Sequence, residues 1–295
     1  MSGRLAGSRR ATGRSSRRLF HLGRCVLHFL HVADLGDSHA RNPGGKLGRR
    51  FGNELYKIAF PIYRPLYSVF KLPLAVAVLK NVEERQLVLE KKVRVTPDDV
   101  APGSEFNTDL WRKPGEKTVA ELLEFSIMRS DNTSSDKLLE QVGGPGAVTR
   151  RMRELGFKNI DIQYTTREFA AHRDKPNTGT ASDLAHLLAQ LQKGEILQQP
   201  QLTLLLGFMT RAMTGGERRL RADLPAGTPV ADKTGTGEPG SSTNDVGLIT
   251  LPEGKGHLAV AVLLSGSKLP VADQEKLIAQ LARAAYDSYV LSGSR

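Results

Sequence analysis

The order of secondary-structure elements after residue 64 restricts the fold of this chain more than any other feature of its sequence. Segments with a helical pattern of apolar residues come first, three strand-like segments follow, and one more helix closes the chain. Because helices and strands are segregated rather than alternating, the pattern predicts an α+β fold: an antiparallel sheet with flanking helices, an all-helical lobe, and a site at their interface. The predicted helices cover residues 65–79, 118–129, 146–155, 180–192, 201–213 and 273–291, and the predicted strands cover residues 228–234, 243–251 and 257–265.

Local signals mark the ends of several predicted helices. Residues 65–79 are almost continuously apolar, which predicts a central buried helix. Thr118 and Glu121 have the spacing of a capping box, at which a helix begins. Gly156 has the position of a C-cap, and Pro200 suits the first turn of a helix.

The excess of basic residues is confined to the N-terminal segment. Residues 1–64 hold 13 Lys and Arg against three Asp and Glu, so they carry nearly all of the formal net charge of +11. We predict that residues 1–60 form a basic leader or an irregular segment and that residues 61–295 form the domain that would hold any catalytic site. Its helical lobe is expected over residues 66–213, and its sheet lobe over residues 214–295 with any N-terminal strand, for which residues 55–60 are one candidate.

Three interpretations of the basic segment stay open. Arg17 and Arg18 lie in a sequence that resembles a twin-arginine export motif, and the apolar run over residues 19–33 is too short and too polar to span a membrane. An abrupt change of pattern would also result from reading a GC-rich gene in the wrong frame across its start. A polyanion-binding arm is the third interpretation, but no nucleic-acid-binding motif accompanies it. We therefore expect neither a nucleic-acid partner nor a membrane span.

Residue types that hold metals and nucleotides are scarce in this sequence. Cys25 is the only cysteine, so it forms no internal disulfide, and no Cys/His cluster has zinc-ligand spacing. The glycine-rich signature G-x-x-x-x-G-K-[ST] of nucleotide-phosphate binding is absent from the sequence. The sequence thus predicts no metal and no cofactor.

Ser68 and Lys71 are the first residues that suggest a reaction. Residues three apart share one face of a helix, so the Lys71 amine can reach the Ser68 hydroxyl, and apolar surroundings lower the proton affinity of that amine. Ser134 and Lys137 have the same spacing, as do Ser265 and Lys268. Only Ser68 stands at the mouth of a strongly apolar helix, where backbone amides can face an oxyanion.

Two further motifs follow in an order that suits the same chemistry. Ser130-Asp131-Asn132 comes just after a predicted helix, and Lys233-Thr234-Gly235 lies on the first predicted strand, where Gly235 would let a substrate backbone approach the strand edge. Each motif also has a structural interpretation, as a helix start or as an ordinary strand end. Together with Ser68 and Lys71 they favour one reaction class, acyl transfer by an activated serine.

With these motifs, the sequence resembles the class A serine β-lactamases, within the larger group that includes the penicillin-binding proteins. The resemblance covers about residues 64–291 and also rests on Thr236-Gly237 and on Asn244-Asp245-Val246-Gly247. It implies the β-lactamase/DD-peptidase type of fold, a small-molecule β-lactam substrate, a monomer, and a periplasmic or secreted location.

The resemblance also implies roles for single residues. Ser68 would attack the lactam carbonyl, Lys71 would help to take its proton, and Ser130 would pass a proton to the leaving nitrogen. Asn132 would bind the side-chain amide of the substrate. The substrate carboxylate would be received by Lys233, Thr234 and Thr236, with Arg219 as a second cation.

The glutamate that activates water for deacylation lies on an Ω-shaped loop in this family. The resemblance assigns that role to Glu168, with His172 four residues later in the position where the commoner pattern has Asn. The Arg–Asp ion pair that usually closes the loop is not evident, because Thr166 and Asn177 fall nearest to those positions. We therefore predict a serine β-lactamase that uses Glu168. The alternatives are a penicillin-binding DD-peptidase or serine esterase, and a non-catalytic protein that binds polyanions through its basic segment.

Overall fold

The computed structural model describes residues 30–35, 62–112, 115–171, 176–238 and 241–292. The helices are α1 Lys71–Glu83, α2 Thr108–Trp111, α3 Val119–Met128, α4 Asn132–Gln141, α5 Pro145–Glu154, α6 Thr166–Ala171, α7 Ala181–Gln192, α8 Gln199–Thr210 and α9 Val271–Ser292. The strands are β1 Leu30–Leu35, β2 Arg64–Pro65, β3 Lys92–Val95, β4 Gly115–Thr118, β5 Ile160–Asp161, β6 Thr178–Gly179, β7 Val230–Thr236, β8 Ser242–Thr250 and β9 His257–Ser265.

The main sheet is antiparallel, with the strand order β1-β9-β8-β7. One apolar cluster joins the sheet to α9, and a larger cluster surrounds α1 and extends to the other face of the sheet. Both faces of the sheet are therefore covered, and helices α1 to α8 form the second lobe. This arrangement confirms the predicted α+β fold.

Capping signals located the helices well. Thr118 and Glu121 form the predicted capping box at the start of α3, with both reciprocal hydrogen bonds present. Gly156 follows α5 with a φ of 96°, a left-handed conformation that glycine adopts without steric cost. Pro200 lies in the first turn of α8.

The segment over residues 65–79 departs from the predicted single helix. Arg64 and Pro65 pair with β6, a 3₁₀ turn covers Tyr67–Phe70, and only then does α1 begin at Lys71. Leu66 and residues 69–79 are buried because the segment passes through the centre of the molecule, which explains its continuous apolar character. Pattern alone does not distinguish a buried helix from a buried turn that leads into one.

The strand β1 lies inside the segment that was predicted to be a leader or irregular. It pairs antiparallel with β9 over six residues, from Leu30 opposite Val262 to Leu35 opposite His257. That prediction therefore does not hold for Leu30–Leu35, while the candidate strand over residues 55–60 and the motif at Arg17 and Arg18 lie outside the described residues.

Two smaller sheets complete the framework around the site. The order β2-β6-β5 ties the start of the nucleophile segment to both ends of residues 162–177, called here the Ω loop, and β3 pairs with β4 at the other end of the helical lobe. In the described ranges no helix is both long enough and apolar enough to cross a membrane.

Candidate active site

Ser68 lies in the tight 3₁₀ turn that leads into α1. The residue before it, Tyr67, has a φ of 46°, in a left-handed region that non-glycine residues rarely occupy. The Val69 amide donates to the Leu66 carbonyl at 3.1 Å and closes the turn. Backbone strain of this kind clusters at functional sites, and here it places the Ser68 hydroxyl at the wall of a cavity.

The Lys71 ammonium lies in the centre of a polar cluster and is completely buried. Its Nζ is 2.9 Å from Ser68 Oγ, 2.8 Å from the Ser130 carbonyl, 3.2 Å from Ser130 Oγ and 2.7 Å from Asn132 Oδ1. Burial lowers the pKa of Lys71 to about 8, against the opposing effect of the Asp131 and Asp136 carboxylates. An amine tuned in this way can accept a proton from Ser68.

Ser130 bridges two buried amines. Its Oγ accepts a hydrogen bond from Lys233 Nζ at 3.0 Å in addition to its contact with Lys71, and its backbone φ is 53°. Burial and the neighbouring Lys71 charge hold the pKa of Lys233 well below its usual value. The Ser130 hydroxyl therefore has a proton donor or acceptor on either side.

The carboxylate of Asp131 holds the turn that presents Ser130. It is fully buried and accepts hydrogen bonds from Asn107 Nδ2 at 3.1 Å, from Trp111 Nε1 at 3.0 Å, and from the backbone amide and hydroxyl of Ser134, each at 2.7 Å. Asp131 is the N-cap of α4, as its helix-start interpretation predicts. The motif is thus both a helix start and part of the site.

The other two Ser–Lys spacings do not form comparable pairs. Ser134 is buried against Asp131, and Lys137 pairs with Asp99 and Glu140. Ser265 is the last residue of β9, and it lies opposite Ser242 of β8. Of the three serine–lysine pairs with this spacing, which all lie among the described residues, only Ser68 and Lys71 are hydrogen-bonded to each other.

Gly235 has a packing role that its sequence motif did not reveal. A Cβ at this position would lie 2.5 Å from the Leu66 carbonyl and 3.0 Å from the Val69 amide. The glycine is therefore required because β7 packs directly against the turn that carries Ser68. This close approach sets the position of Ser68 relative to the Lys233 motif.

Arg219 is buried behind β7 and acts on the site through Thr236. It donates to Thr236 Oγ1 at 2.7 Å and to the Asn244 carbonyl at 2.8 Å, and it forms an ion pair with Glu275 at 3.2 Å. Thr236 lines the cavity. Thr234 lies on the buried part of β7, and its hydroxyl is hydrogen-bonded to the Thr214 carbonyl at 2.7 Å.

Asn132 faces both Lys71 and the cavity. Its Nδ2 donates to the Pro102 carbonyl at 2.6 Å, which leaves one amide hydrogen for a ligand. Gly103 has a φ of 85°, and a Cβ there would lie 2.5 Å from Asn132 Nδ2. The absence of a side chain at Gly103 therefore allows the Asn132 amide to take this position.

The hydrogen bonds of Glu168 among the described residues are to Thr165, and none joins it to Ser68 or Lys71. The Glu168 side chain is exposed, and its Oε2 accepts the backbone amide of Thr165 at 2.8 Å, while its own amide donates to Thr165 Oγ1 at 3.1 Å. This reciprocal capping box satisfies donors at the start of α6. His172 lies outside the described residues.

Asp136 and Asn177 fix the Ω loop, and the sequence did not reveal their roles. Asp136 accepts the amides of Thr166 at 2.7 Å and Arg167 at 3.1 Å, and burial raises its pKa. The Asn177 side chain accepts two backbone amides, at residues 163 and 164, and donates to the carbonyl of Tyr164 at 3.0 Å. The neutral side-chain amide of Asn177 thus closes the Ω loop, in place of the Arg–Asp ion pair that is not evident in the sequence.

A cavity of about 740 Å³ opens beside Ser68. Its volume suits a drug-sized molecule. It is bounded by the nucleophile turn, the Ω loop, the segment at Pro102 and Gly103, and the turn after β7. Its lining includes Tyr67, Ser68, Asn132, Phe169, Thr236 and Ser241.

One serine has an amine of lowered pKa beside its hydroxyl, a second serine hydroxyl lies between two amines, and a cation lies behind the end of a strand. These groups can together perform acyl transfer. A family model described as the β-lactamase enzyme family matches residues 53–289. The chain belongs to the β-lactamase family.

Curated relatives and solved structures agree with this assignment. The chain is 34% identical to the extended-spectrum β-lactamase PER-1 of Pseudomonas aeruginosa, over 75% of this chain and 74% of that protein. It is 30% identical to the β-lactamase VEB-1 of the same organism, over 79% of this chain and 81% of that protein. A β-lactamase structure from Chitinophaga pinensis superposes with a TM-score of 0.77 at 28% identity, covering 88% of this chain and 94% of that one.

These relatives are class A β-lactamases, and this chain has their fold. The family resemblance predicted from the motifs is therefore confirmed. The protein is a β-lactam hydrolase, and the DD-peptidase and polyanion-binding alternatives are not favoured.

Proposed function

We propose that this β-lactamase acts through an acyl-enzyme on Ser68, and the contact of 2.9 Å between Lys71 Nζ and Ser68 Oγ is the observation that carries this proposal. Neutral Lys71 takes the Ser68 proton as the hydroxyl attacks the lactam carbonyl. The backbone amides of Ser68 and Thr236 stabilise the oxyanion. Ser130 then gives a proton to the lactam nitrogen as the C–N bond breaks, and the buried amines on either side of it replace that proton.

Substrate recognition divides between charge and amide contacts. The substrate carboxylate binds at the end of β7, where Thr236 is backed by Arg219 and Lys233 lies next to Ser130. Charge-assisted hydrogen bonds of this kind contribute about 1.5–3 kcal/mol each. The remaining amide hydrogen of Asn132 binds the carbonyl of the acyl side chain.

Glu168 is the proposed base for deacylation. Its neighbours on α6, Phe169 and Ala170, line the same cavity as Ser68, so the helix that carries the carboxylate adjoins the acyl site. Oε2 of Glu168 accepts the Thr165 amide, so Oε1 is the oxygen that takes a proton from the water. Acylation does not require that transfer, and deacylation does.

The activity is tested by steady-state hydrolysis of a penicillin, a cephalosporin and a carbapenem by the purified protein, beside a D-alanyl-D-alanine peptide. We expect turnover of at least one β-lactam and none of the peptide. Peptide hydrolysis with a long-lived penicillin adduct would contradict the proposal.

The deacylation step is tested with Glu168→Gln, and Glu195→Gln, an exposed glutamate after α7, is the matched control. We expect Glu168→Gln to be acylated by a penicillin and to accumulate the adduct in intact-protein mass spectra, with turnover reduced about 10²–10⁴-fold. Glu195→Gln is expected to clear the adduct as the wild type does. Equal clearance by both variants would remove Glu168 from the mechanism.

A location outside the cytoplasm is also part of the proposal. It is supported by the family resemblance and by the twin-arginine-like residues Arg17 and Arg18. Because Ser68, Lys71, Ser130 and Lys233 come from one chain, a monomer suffices for activity. Cell fractionation, with Arg17 and Arg18 both replaced by Lys as the control, tests the location: export is expected to depend on the arginine pair.

A further inference from the structure

Tyr67 fills the space between the nucleophile turn and the turn after β7. Its ring lies against Gly237, where any Cβ would collide with the ring, and its hydroxyl is 3.3 Å from Ser241 Oγ. The left-handed backbone of Tyr67 is therefore accompanied by contacts that hold its side chain in one place.

Phe169 meets the same ring from the Ω loop. The two ring centroids are 5.7 Å apart and the ring planes are at 85°, an edge-to-face arrangement that aromatic pairs favour. Both residues line the cavity that Ser68 lines. One wall of the cavity is therefore aromatic and is built from two separate elements.

The polar groups on the other sides of the cavity indicate which part of a β-lactam each side would bind. Thr236, with Arg219 behind it, lies at the cationic end, and Asn132 supplies an amide beside Gly103, which contributes no side chain. With the carboxylate and the side-chain amide of a β-lactam at these two places, the substituent beyond the amide extends toward the open space between Gly103 and the Ω loop. The aromatic wall borders that space.

We propose that Tyr67 and Phe169 are specificity-determining residues that favour β-lactams whose acyl side chain carries an aromatic ring. The inference rests on the proposed function, because it requires the acyl-enzyme to form on Ser68. An aryl ring on the substrate packs its edge or face against the rings of Tyr67 and Phe169. Such contacts contribute binding free energy beyond that from the burial of apolar area. A saturated ring of the same size gains only the binding free energy from the burial of its apolar area.

The test compares kcat/KM for benzylpenicillin with that for the same nucleus carrying a cyclohexylacetyl side chain. We expect the wild type to prefer the aromatic substrate about 3- to 10-fold. Phe169→Leu keeps apolar bulk without the ring, and we expect its ratio to fall to about one. Tyr67→Phe keeps the ring and loses the hydroxyl, and its ratio is expected to stay near that of the wild type.

Two controls separate the possible failures. Phe208→Leu, on α8 and outside the cavity lining, is expected to keep the wild-type ratio. Hydrolysis of 6-aminopenicillanic acid, which has no acyl side chain, reports the reaction alone, and we expect Phe169→Leu to keep it within a factor of about three. A wild-type ratio of one, or an unchanged ratio in Phe169→Leu with normal hydrolysis of this substrate, would overturn the inference and leave the proposed function intact. Loss of all hydrolysis in the wild type would instead overturn the proposed function.

Discussion

At the scale of single residues, the site depends on charged groups that are held out of water. Lys71 and Lys233 are both fully buried, and Ser130 Oγ contacts both of their amines. Burial favours the neutral form of an amine, and each positive charge makes the other more costly. Proton transfer among Ser68, Lys71 and Ser130 is therefore possible near neutral pH.

The lowered pKa of Lys71 predicts the pH dependence of acylation. The base is the neutral amine, and its fraction grows as the pH rises through the pKa of about 8. Single-turnover acylation by a penicillin is thus expected to accelerate from low pH and to level off above that value. Lys71→Arg, which stays protonated, should acylate at least about 100-fold more slowly at every pH. A pH-independent acylation rate in the wild type would be incompatible with Lys71 as the base.

Site residues that belong to recognisable sequence motifs were predictable. Residues that bind the backbone of a distant segment were not. Ser68 and Lys71 meet because one helical turn brings them together, and the motif order predicted that they join Ser130 and Lys233. Asp136 and Asn177 bind backbone amides, which carry no sequence signal. Glu168 carries a second, local role that the sequence also signals: a carboxylate three residues after a threonine forms a capping box, and this bond is present in the structure.

At the scale of elements, the Ω loop is held by neutral hydrogen bonds at its neck. Asn177 is buried and satisfies two backbone amides and one carbonyl, and its own backbone carbonyl accepts the Leu66 amide at 2.9 Å. The neck therefore connects directly to the turn that carries Ser68. Its strength is expected to be insensitive to ionic strength, in contrast with an ion pair.

Asn177→Ala removes the side-chain clasp while keeping the backbone contact. Because it leaves two partly buried backbone amides without an acceptor, we expect a loss of about 1–3 kcal/mol in the free energy of unfolding. Deacylation should slow, since α6 is no longer fixed beside the cavity, and Asn177→Asp should be less severe because it keeps an acceptor. Urea unfolding and acyl-enzyme lifetimes, each at low and high salt, measure these effects. Wild-type values in Asn177→Ala would show that the clasp is dispensable.

Element boundaries were predictable where the chain itself supplies the signal. The capping box at Thr118 and the glycine at 156 placed their helices within a residue or two. The strand β1 was missed because its partner, β9, lies more than 200 residues away and the strand is embedded in a basic segment. Pairing over that distance is determined by the sheet rather than by the local sequence.

At the scale of the whole molecule, β1 is an edge strand of the main sheet among the described residues, and it covers one edge of β9. Deletion of residues 1–29 leaves β1 intact, and we expect a soluble protein with normal nitrocefin hydrolysis. Deletion of residues 1–35 exposes the unpaired backbone of β9, which promotes aggregation. Soluble yield, thermal midpoint and nitrocefin hydrolysis are the measurements. Equal behaviour of the two truncated proteins would mean that β1 is not needed for the fold.

The central claim is that β-lactam hydrolysis passes through an acyl-enzyme on Ser68, and peptide-level mass spectrometry tests it most directly. Wild type, Ser68→Ala and the control Ser265→Ala are each quenched within one turnover of a penicillin and digested. The account predicts one adduct of penicillin mass on the peptide that contains Ser68 in the wild type and in Ser265→Ala, and none in Ser68→Ala. An adduct of the same yield in Ser68→Ala, or an adduct on a different serine, would contradict it.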